Sequence, residues 1–235
     1  MTIRVPRAAV RALRERTGQS LAKCRQALID NNLDEEKAAI QLSADSGADS
    51  ENVFLRNQFL IAMPGLEDDN FSNTVSLLCE HNDSGAVGLI INRPTDLTLG
   101  AMLDQMGVKH DRGAPCEQFV FWGGPVQPER GFVVHSGPGG WDSSMPIGRG
   151  LYITTSRDVL TAIGEGRGPE HFLVTLGYSG WAAGQLEDEI LQNAWLSTPV
   201  DAAVLFQTPV DARWQSATKL IGLDIAQLGS GAGHA

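Results

Sequence analysis

The sequence predicts an α+β fold, a mixed sheet with helices around it, preceded by a small all-α unit of three helices. Three observations carry this. The chain changes character near residue 46: residues 1–50 hold 8 Lys+Arg against 7 Asp+Glu, whereas the remainder holds 10 against 21, a net charge of −11. The first 45 residues place their apolar side chains at helical spacing. From about Asn52 onward, apolar runs of strand length sit first in adjacent hairpins and later between helices, which is the order of a mixed sheet.

In chain order, VRALRERTG carries Val10 and Leu13 at helical spacing and stops at Gly18, a residue suited to the position after a helix. Ser20 can cap LAKCRQALIDNN, whose apolar stripe is Leu21, Cys24, Ala27 and Leu28, so Cys24 reads as a core residue. Asp34 can cap EEKAAIQL, and its acidic first turn suits the helix dipole. SADSGADSEN is small and polar, so residues 46–52 read as a linker. The larger domain then spans 53–228. QFLIAMPG reads as a strand ending at Pro64. NTVSLLCEHN and GAVGLIINRP read as strands joined by a turn of the three-to-five-residue type around Asn82–Gly85. LTLGAMLDQMG is a short helix. QFVFWGGPV and GFVVHSG are strands around a Gly-Pro loop, LYITT is a strand, and SRDVLTAIGEG is a helix capped by Ser156. HFLVTLGYSGW is a long strand. GQLEDEILQNAW and VDARWQSATKLIG are amphipathic helices, and 229–235 reads as a mobile tail.

Composition narrows the function classes. The 235 residues carry a net charge of −10 and 42% hydrophobic residues, an ordinary soluble composition. No window reaches the roughly 18 uncharged apolar residues of a membrane helix, and the N-terminus lacks a secretory h-region. Cys24, Cys79 and Cys116 show no CxxC spacing, so a reduced, cytoplasmic chain is expected. The acidic larger part has only two lysines, Lys109 and Lys219, and no basic recognition helix, which argues against direct DNA binding.

Three stretches invite chemistry. SLLCEHN puts Cys79, Glu80 and His81 in consecutive positions. On a regular strand, positions 79 and 81 share a face with Cβ atoms about 6–7 Å apart, too far for a direct hydrogen bond. Two tolerated strand residues are the simpler reading, with a redox-responsive thiol at Cys79 or a nucleophile as alternatives; either would need a cation such as Arg93 or Arg130 nearby. In WGGPVQPERGFVVHS, Gly123 and Gly124 let backbone approach a neighbouring strand or a ligand phosphate, and Arg130 and His135 are candidate lining of an anion pocket. The stretch lacks the Lys-Ser/Thr ending of a phosphate-binding loop. GYSGWAAGQLEDEILQNAW is not a nucleophile elbow, and its acidic run would repel phosphate. Trp181 and Trp195 read as core or groove wall, and Glu187 and Asp188 point to different helix faces, unsuited to one metal ion. The histidines lack H-x3-H or HExxH spacing. No catalytic residue, metal or cofactor is predicted.

Two resemblances add to this. VRALRERTGQSLAKCRQALIDNNLDEEKAAIQL, above all LRERTG and CRQAL, resembles the N-terminal UBA-like (TS-N) domain of bacterial elongation factor Ts. That implies a protein-docking unit, with Thr17, Gly18 and Leu21 at the docking surface and elongation factor Tu as the candidate partner. Nothing after residue 50 resembles the rest of that factor, so nucleotide exchange is not implied. MPGLEDDNFSNTVSLLCEHNDSGAVGLIINRP, FWGGPVQPERGFVVHS, GLYITTSRDVL and LGYSGWAAGQLEDEILQNAWL resemble the YqgE/AlgH family. That resemblance implies a sheet partly curled into a small barrel and a role in transcriptional regulation. It also implies a shared surface or small-ligand pocket formed by Cys79, His81, Asn82, Asn92, Arg93, Gly123, Gly124, Arg130, His135, Trp181, Gln185 and Glu187. Together with the charge, this gives a non-catalytic regulatory or adaptor protein acting through a protein or an unknown small ligand.

Overall fold

The computed structural model describes residues 6–17, 21–31, 33–45, 54–110, 114–137 and 139–222; the expected linker, Ser20 and the expected tail lie outside them. The chain divides into two compact units, Met1–Phe54 and Leu55–Ala235.

The first unit carries α1 (Arg7–Thr17), α2 (Leu21–Asp30) and α3 (Glu35–Asp45). Asp34 Oδ1 accepts from the Lys37 N–H at 3.0 Å, satisfying an amide that the helix leaves without a partner. Leu13, Cys24, Leu28, Ala38 and Leu42 are buried together. Burial pushes the Cys24 thiol up, with the Thr17 hydroxyl acting in the opposite sense.

The second unit begins with β1 (Gln58–Ala62), β2 (Val75–Asn82), β3 (Gly85–Ile90), β4 (Pro94–Thr98) and α4 (Leu99–Gln105). β5 (Phe119–Trp122), β6 (Val126–Ser136), β7 (Ser144–Gly148), β8 (Leu151–Thr154) and α5 (Arg157–Gly164) follow. The chain then runs through β9 (Phe172–Ala182), α6 (Gln185–Leu191), β10 (Trp195–Pro199), α7 (Ala202–Phe206) and α8 (Arg213–Leu220). The strand order is β10-β1-β2-β3-β9-β6-β8-β7, with β5 beside β9 and β4 beside β5. β5–β9 is the one parallel pair among the described strands. The sheet curls into a half-barrel with helices around it.

The curl follows from which side chains meet. Phe59 on β1 and Ile147 on β7 come from strands far apart in the order, yet they share one core with Leu77, Leu89, Val134 and Ile153. Only a curled sheet brings both arms to one inner face. α7 and α8 add Val204, Leu205 and Ala217 to that core. The alternate positions face outward under helices, as the period of two requires. Val133 and Val174 meet Leu103 of α4 and Val159 of α5, while Leu60 and Leu78 meet Leu186 of α6. The Arg56 guanidinium donates to the Pro146 carbonyl, tying the segment before β1 to the outer strand β7.

Several local expectations change. The β2–β3 loop has two residues, Asp83 and Ser84, because Asn82 and Gly85 are already paired. Ser84 N–H donates to Asn82 Oδ1 at 2.8 Å. Gly85 has φ +131, and a Cβ there would lie 2.1 Å from the Trp181 carbonyl oxygen, so glycine is required. The helix expected to reach Trp195 ends at Leu191: Asn193 turns left-handed (φ 58), and Trp195 opens β10 opposite Ala62. Ser156 occupies the cap position of α5 but makes no cap hydrogen bond; its hydroxyl goes to Asp158. Burial alone would raise Asp158, yet that hydroxyl and the Asp142 and Val159 amides hold its carboxyl below the usual range. The strands β4 and β7 each contain a proline, which hid them; β7 is an edge strand and β4 pairs β5 alone, where proline is tolerated.

Candidate functional site

The register of β2 decides the Cys79–His81 question. Leu78 pairs with Gly88, but Glu80 pairs with Val87, so Cys79 is the extra residue of a β-bulge. Paired residues share a face, and the bulge therefore reverses the alternation. Cys79 joins the inner core with Leu77, whereas His81 pairs with Ala86 on the α6 side. Positions 79 and 81 do not share a face, contrary to the regular-strand expectation. The thiol donates to the Leu77 carbonyl at 3.3 Å, and burial pushes it far above the ordinary cysteine value. At neutral pH it stays protonated.

The bulge opens the inner face beside it into a cavity of about 380 Å³. Its apolar walls are Val87, Leu89, Phe132, Met145, Ile147 and Ile153, from both arms of the half-barrel, with Cys79 among them. Arg56, Glu80, His81 and Asn82 supply its polar groups, so the predicted residues Cys79, His81 and Asn82 all border it. Asn82 Nδ2 donates to Glu80 Oε1 at 2.6 Å. Met145 is an exposed large apolar side chain at this cavity.

His81, which borders that cavity, turns its ring nitrogens to a second neighbourhood. Its Nδ1 accepts the Leu55 N–H at 2.9 Å, so Nε2 carries the proton and donates to Glu187 Oε1 at 3.2 Å. Next to it, Glu189 Oε2 accepts from Trp181 Nε1 and from Trp195 Nε1, each at 2.8 Å, while Gln185 donates to Glu189 Oε1 at 2.9 Å. Trp181, Gln185 and Glu187 thus gather with His81 around α6, on the opposite side of the sheet from Cys79. Glu189 was not anticipated. The signal was present: two tryptophans flanking an acidic helix need acceptors once their indoles are buried.

The remaining predicted residues disperse. Asn92 Oδ1 accepts the Val75 N–H at 2.8 Å, and Arg93 donates to the carbonyls of Asp69 at 2.8 Å and Ser72 at 3.2 Å. Both hold the β1–β2 connection, and Arg93 also lies over the Trp122 ring at 5.6 Å. Gly123 and Gly124 answer the phosphate question: a Cβ on either would lie 2.3 Å from β9 backbone, at the Gly177 oxygen and the Tyr178 carbonyl carbon. They permit strand contact. Arg130 is exposed over Phe132 at 5.3 Å. His135 is buried, bonded through Nε2 to Thr154 Oγ1 at 2.9 Å, and desolvation lowers its pKa. Phe132 joins the inner core while His135 and Val133 alternate with it, so Arg130 and His135 form no common anion pocket. Of the docking residues, Thr17 donates to the Leu13 carbonyl at 2.7 Å; Gly18 and the side chain of Leu21 lie outside the described residues.

Arg213 also went unanticipated. It is 6% exposed, lies 5.0 Å over Phe121, and donates to the carbonyls of Thr208 at 3.1 Å and of Ile91. Burial pushes its pKa down to about 10. No group of three His, Cys, Asp or Glu among the described residues is placed to hold a metal ion. No helix among them is long and apolar enough to cross a membrane.

Residues 59–226 match a family described as AlgH-like (DUF179). A UPF0301 protein of Thioalkalivibrio sulfidiphilus is 55% identical over 179 residues, 76% of this chain and 96% of that protein. A UPF0301 protein of Xanthomonas oryzae pv. oryzae is 51% identical over 181 residues, 77% of this chain and 96% of that protein. The solution structure of the AlgH protein from Pseudomonas aeruginosa superposes with a TM-score of 0.65 at 45% identity, covering 80% of this chain and 99% of that one. A crystal structure from Corynebacterium diphtheriae shares the fold alone, with a TM-score of 0.61 at 18% identity over 78% of this chain and 96% of that one. The family match begins at residue 59, so the first three helices stand outside it.

Proposed function

The chain belongs to the AlgH-like family, and from that premise we propose that it is a regulatory or adaptor protein that binds a small apolar ligand without transforming it. The observation that carries this reading is the cavity at the β2 bulge. Its volume of about 380 Å³ suits a small molecule. Its walls are apolar, its few polar groups lie together, and the thiol in its wall is held protonated by burial. A protonated, buried thiol is a surface to pack against and not a nucleophile. This weighs against a redox role for Cys79. The net −11 of the region after residue 50 weighs against direct DNA binding, so any effect on transcription is read as indirect. The first three helices, which resemble the TS-N domain, are read as the docking unit, with elongation factor Tu as the partner to test.

The test is a titration with anilinonaphthalene sulfonate, an aromatic anion whose fluorescence reports apolar sites. One saturable site is expected. Val87→Trp, which fills the cavity, should weaken it at least about tenfold, since most of a pocket ligand's surface is buried against its walls. Unchanged affinity in that variant would remove the cavity from the proposal. For the docking unit, purified elongation factor Tu should bind the full chain and not one lacking residues 1–50; equal binding would end that part.

A further inference from the structure

The third cysteine stands in a setting unlike the other two. Cys116 lies in the short turn at 114–117 after α4 and is half-buried. Its Sγ is 3.2 Å from His110 Nδ1. On the other side of the same ring, His110 Nε2 is 3.2 Å from Asp104 Oδ1. The Asp104 side chain is 71% exposed, and its carboxylate oxygen faces the ring as an acceptor. It therefore fixes the proton on Nε2 and leaves Nδ1 as the lone pair facing the thiol. Gly100 on α4 makes this placement possible: a Cβ there would lie 3.1 Å from Cys116 Cβ. The imidazole stands between thiol and carboxylate, so the three cannot converge on one metal ion. An open hollow of about 550 Å³, lined by Asp104, Gly107, Val108, Lys109 and His110, lies on the Asp104 side of the ring, while Cys116 itself is partly exposed.

We infer that Cys116 is the reactive thiol of this protein, activated by His110 and oriented by Asp104, and that a hydroperoxide oxidises it to a sulfenic acid. The steps balance. The thiol proton passes from Sγ to His110 Nδ1. The thiolate attacks the terminal peroxide oxygen, an S–O bond forms and the O–O bond breaks. Sulfur is oxidised by two electrons and the peroxide is reduced. The departing alkoxide or hydroxide takes the proton from the imidazolium and leaves as an alcohol or water. An acyl substrate would also need donors placed around its oxyanion. A hydroperoxide needs only a base for the thiol proton, a partly exposed sulfur and a proton for the leaving oxygen, which His110 beside the half-buried Cys116 would supply. This inference is independent of the ligand cavity, which lies between β2 and β3 on one side and β6, β7 and β8 on the other.

The reduced full-length chain is treated with hydrogen peroxide and then dimedone, and labelling at each cysteine is followed by peptide mass spectrometry. Cys116 should react at least about tenfold faster than glutathione at the same pH, as thiols with a positioned base do. Cys79 and Cys24 should stay unlabelled while the chain is folded. His110→Gln should bring Cys116 to the rate of glutathione, and Asp104→Asn should slow it at least about threefold through loss of the oriented tautomer. Asp104 is exposed, so its variant keeps the test decisive if His110→Gln fails to fold. A Cys116 no faster than glutathione, or a rate untouched by Asp104→Asn in a chain with native near-ultraviolet circular dichroism, overturns the inference.

Discussion

Replacing Glu189 with alanine tests whether one carboxylate holds the α6 side of the sheet together. Trp181 and Trp195 are 5% and 2% exposed, and both indole N–H groups end on the same Glu189 oxygen at 2.8 Å. Glu189→Ala leaves two buried donors without an acceptor, each costing about 1–3 kcal/mol. Glu189 is itself half-buried, so water reaches part of the gap, and the expected loss is about 3 kcal/mol, in the lower half of the two-donor range of about 2–6 kcal/mol. Glu189→Gln keeps one carbonyl oxygen able to accept both N–H groups but sets a new NH2 against the Gln185 amide, whose orientation the Ala182 N–H holds, so its loss should be smaller, about 1–2 kcal/mol. The assay is urea unfolding followed by tryptophan fluorescence. All five tryptophans lie between 122 and 214, so the signal reports the second unit alone. A midpoint shift at constant slope measures the stability change. If Glu189→Ala came within about 0.5 kcal/mol of wild type, the two indole bonds would contribute nothing net, and the account of this cluster would fail.

Two further substitutions probe other elements. Gly85→Ala forces a Cβ to 2.1 Å from the Trp181 oxygen at φ +131, and should cost at least about 2 kcal/mol in the same assay; a neutral result would mean that the hairpin is placed wrongly. His135 has its folded pKa below the ordinary 6.5 because burial disfavours its charged form. The unfolded chain therefore binds more protons there as pH falls below about 6.5, so stability is present above that value and declines beneath it. His135→Gln should flatten this part of the profile between about pH 7.5 and 5.5, and an identical slope in both proteins would refute the assignment.

The elements were legible where neighbours along the chain decide them. Asp34 as a cap, the glycines at 123 and 124 as a close strand approach, and Cys79 as a core residue all follow from local chemistry. The dispersal of the twelve candidate residues was not legible. Asn92 and Arg93 hold a loop, Trp181, Gln185 and Glu187 gather at α6, and Arg130 and His135 part across β6. The candidate residues were collected from separate motifs, and motif order along the chain carries no information about which face of a sheet each residue meets. His110 and Cys116, six residues apart, went unremarked because the spacing fits no helix or strand period, and only the turn after α4 closes it.

The sequence by itself determined the acidic body, most strands and helices of the larger unit and the thiol-poor composition. These depend on residue type and short-range periodicity, which the chain states directly. The tertiary structure alone decided that one extra residue at Cys79 reverses the faces of β2, that β1 and β7 curl toward one core, and that Glu189 serves two tryptophans. Each of these depends on register between distant segments, where a slip of a single residue exchanges inside for outside.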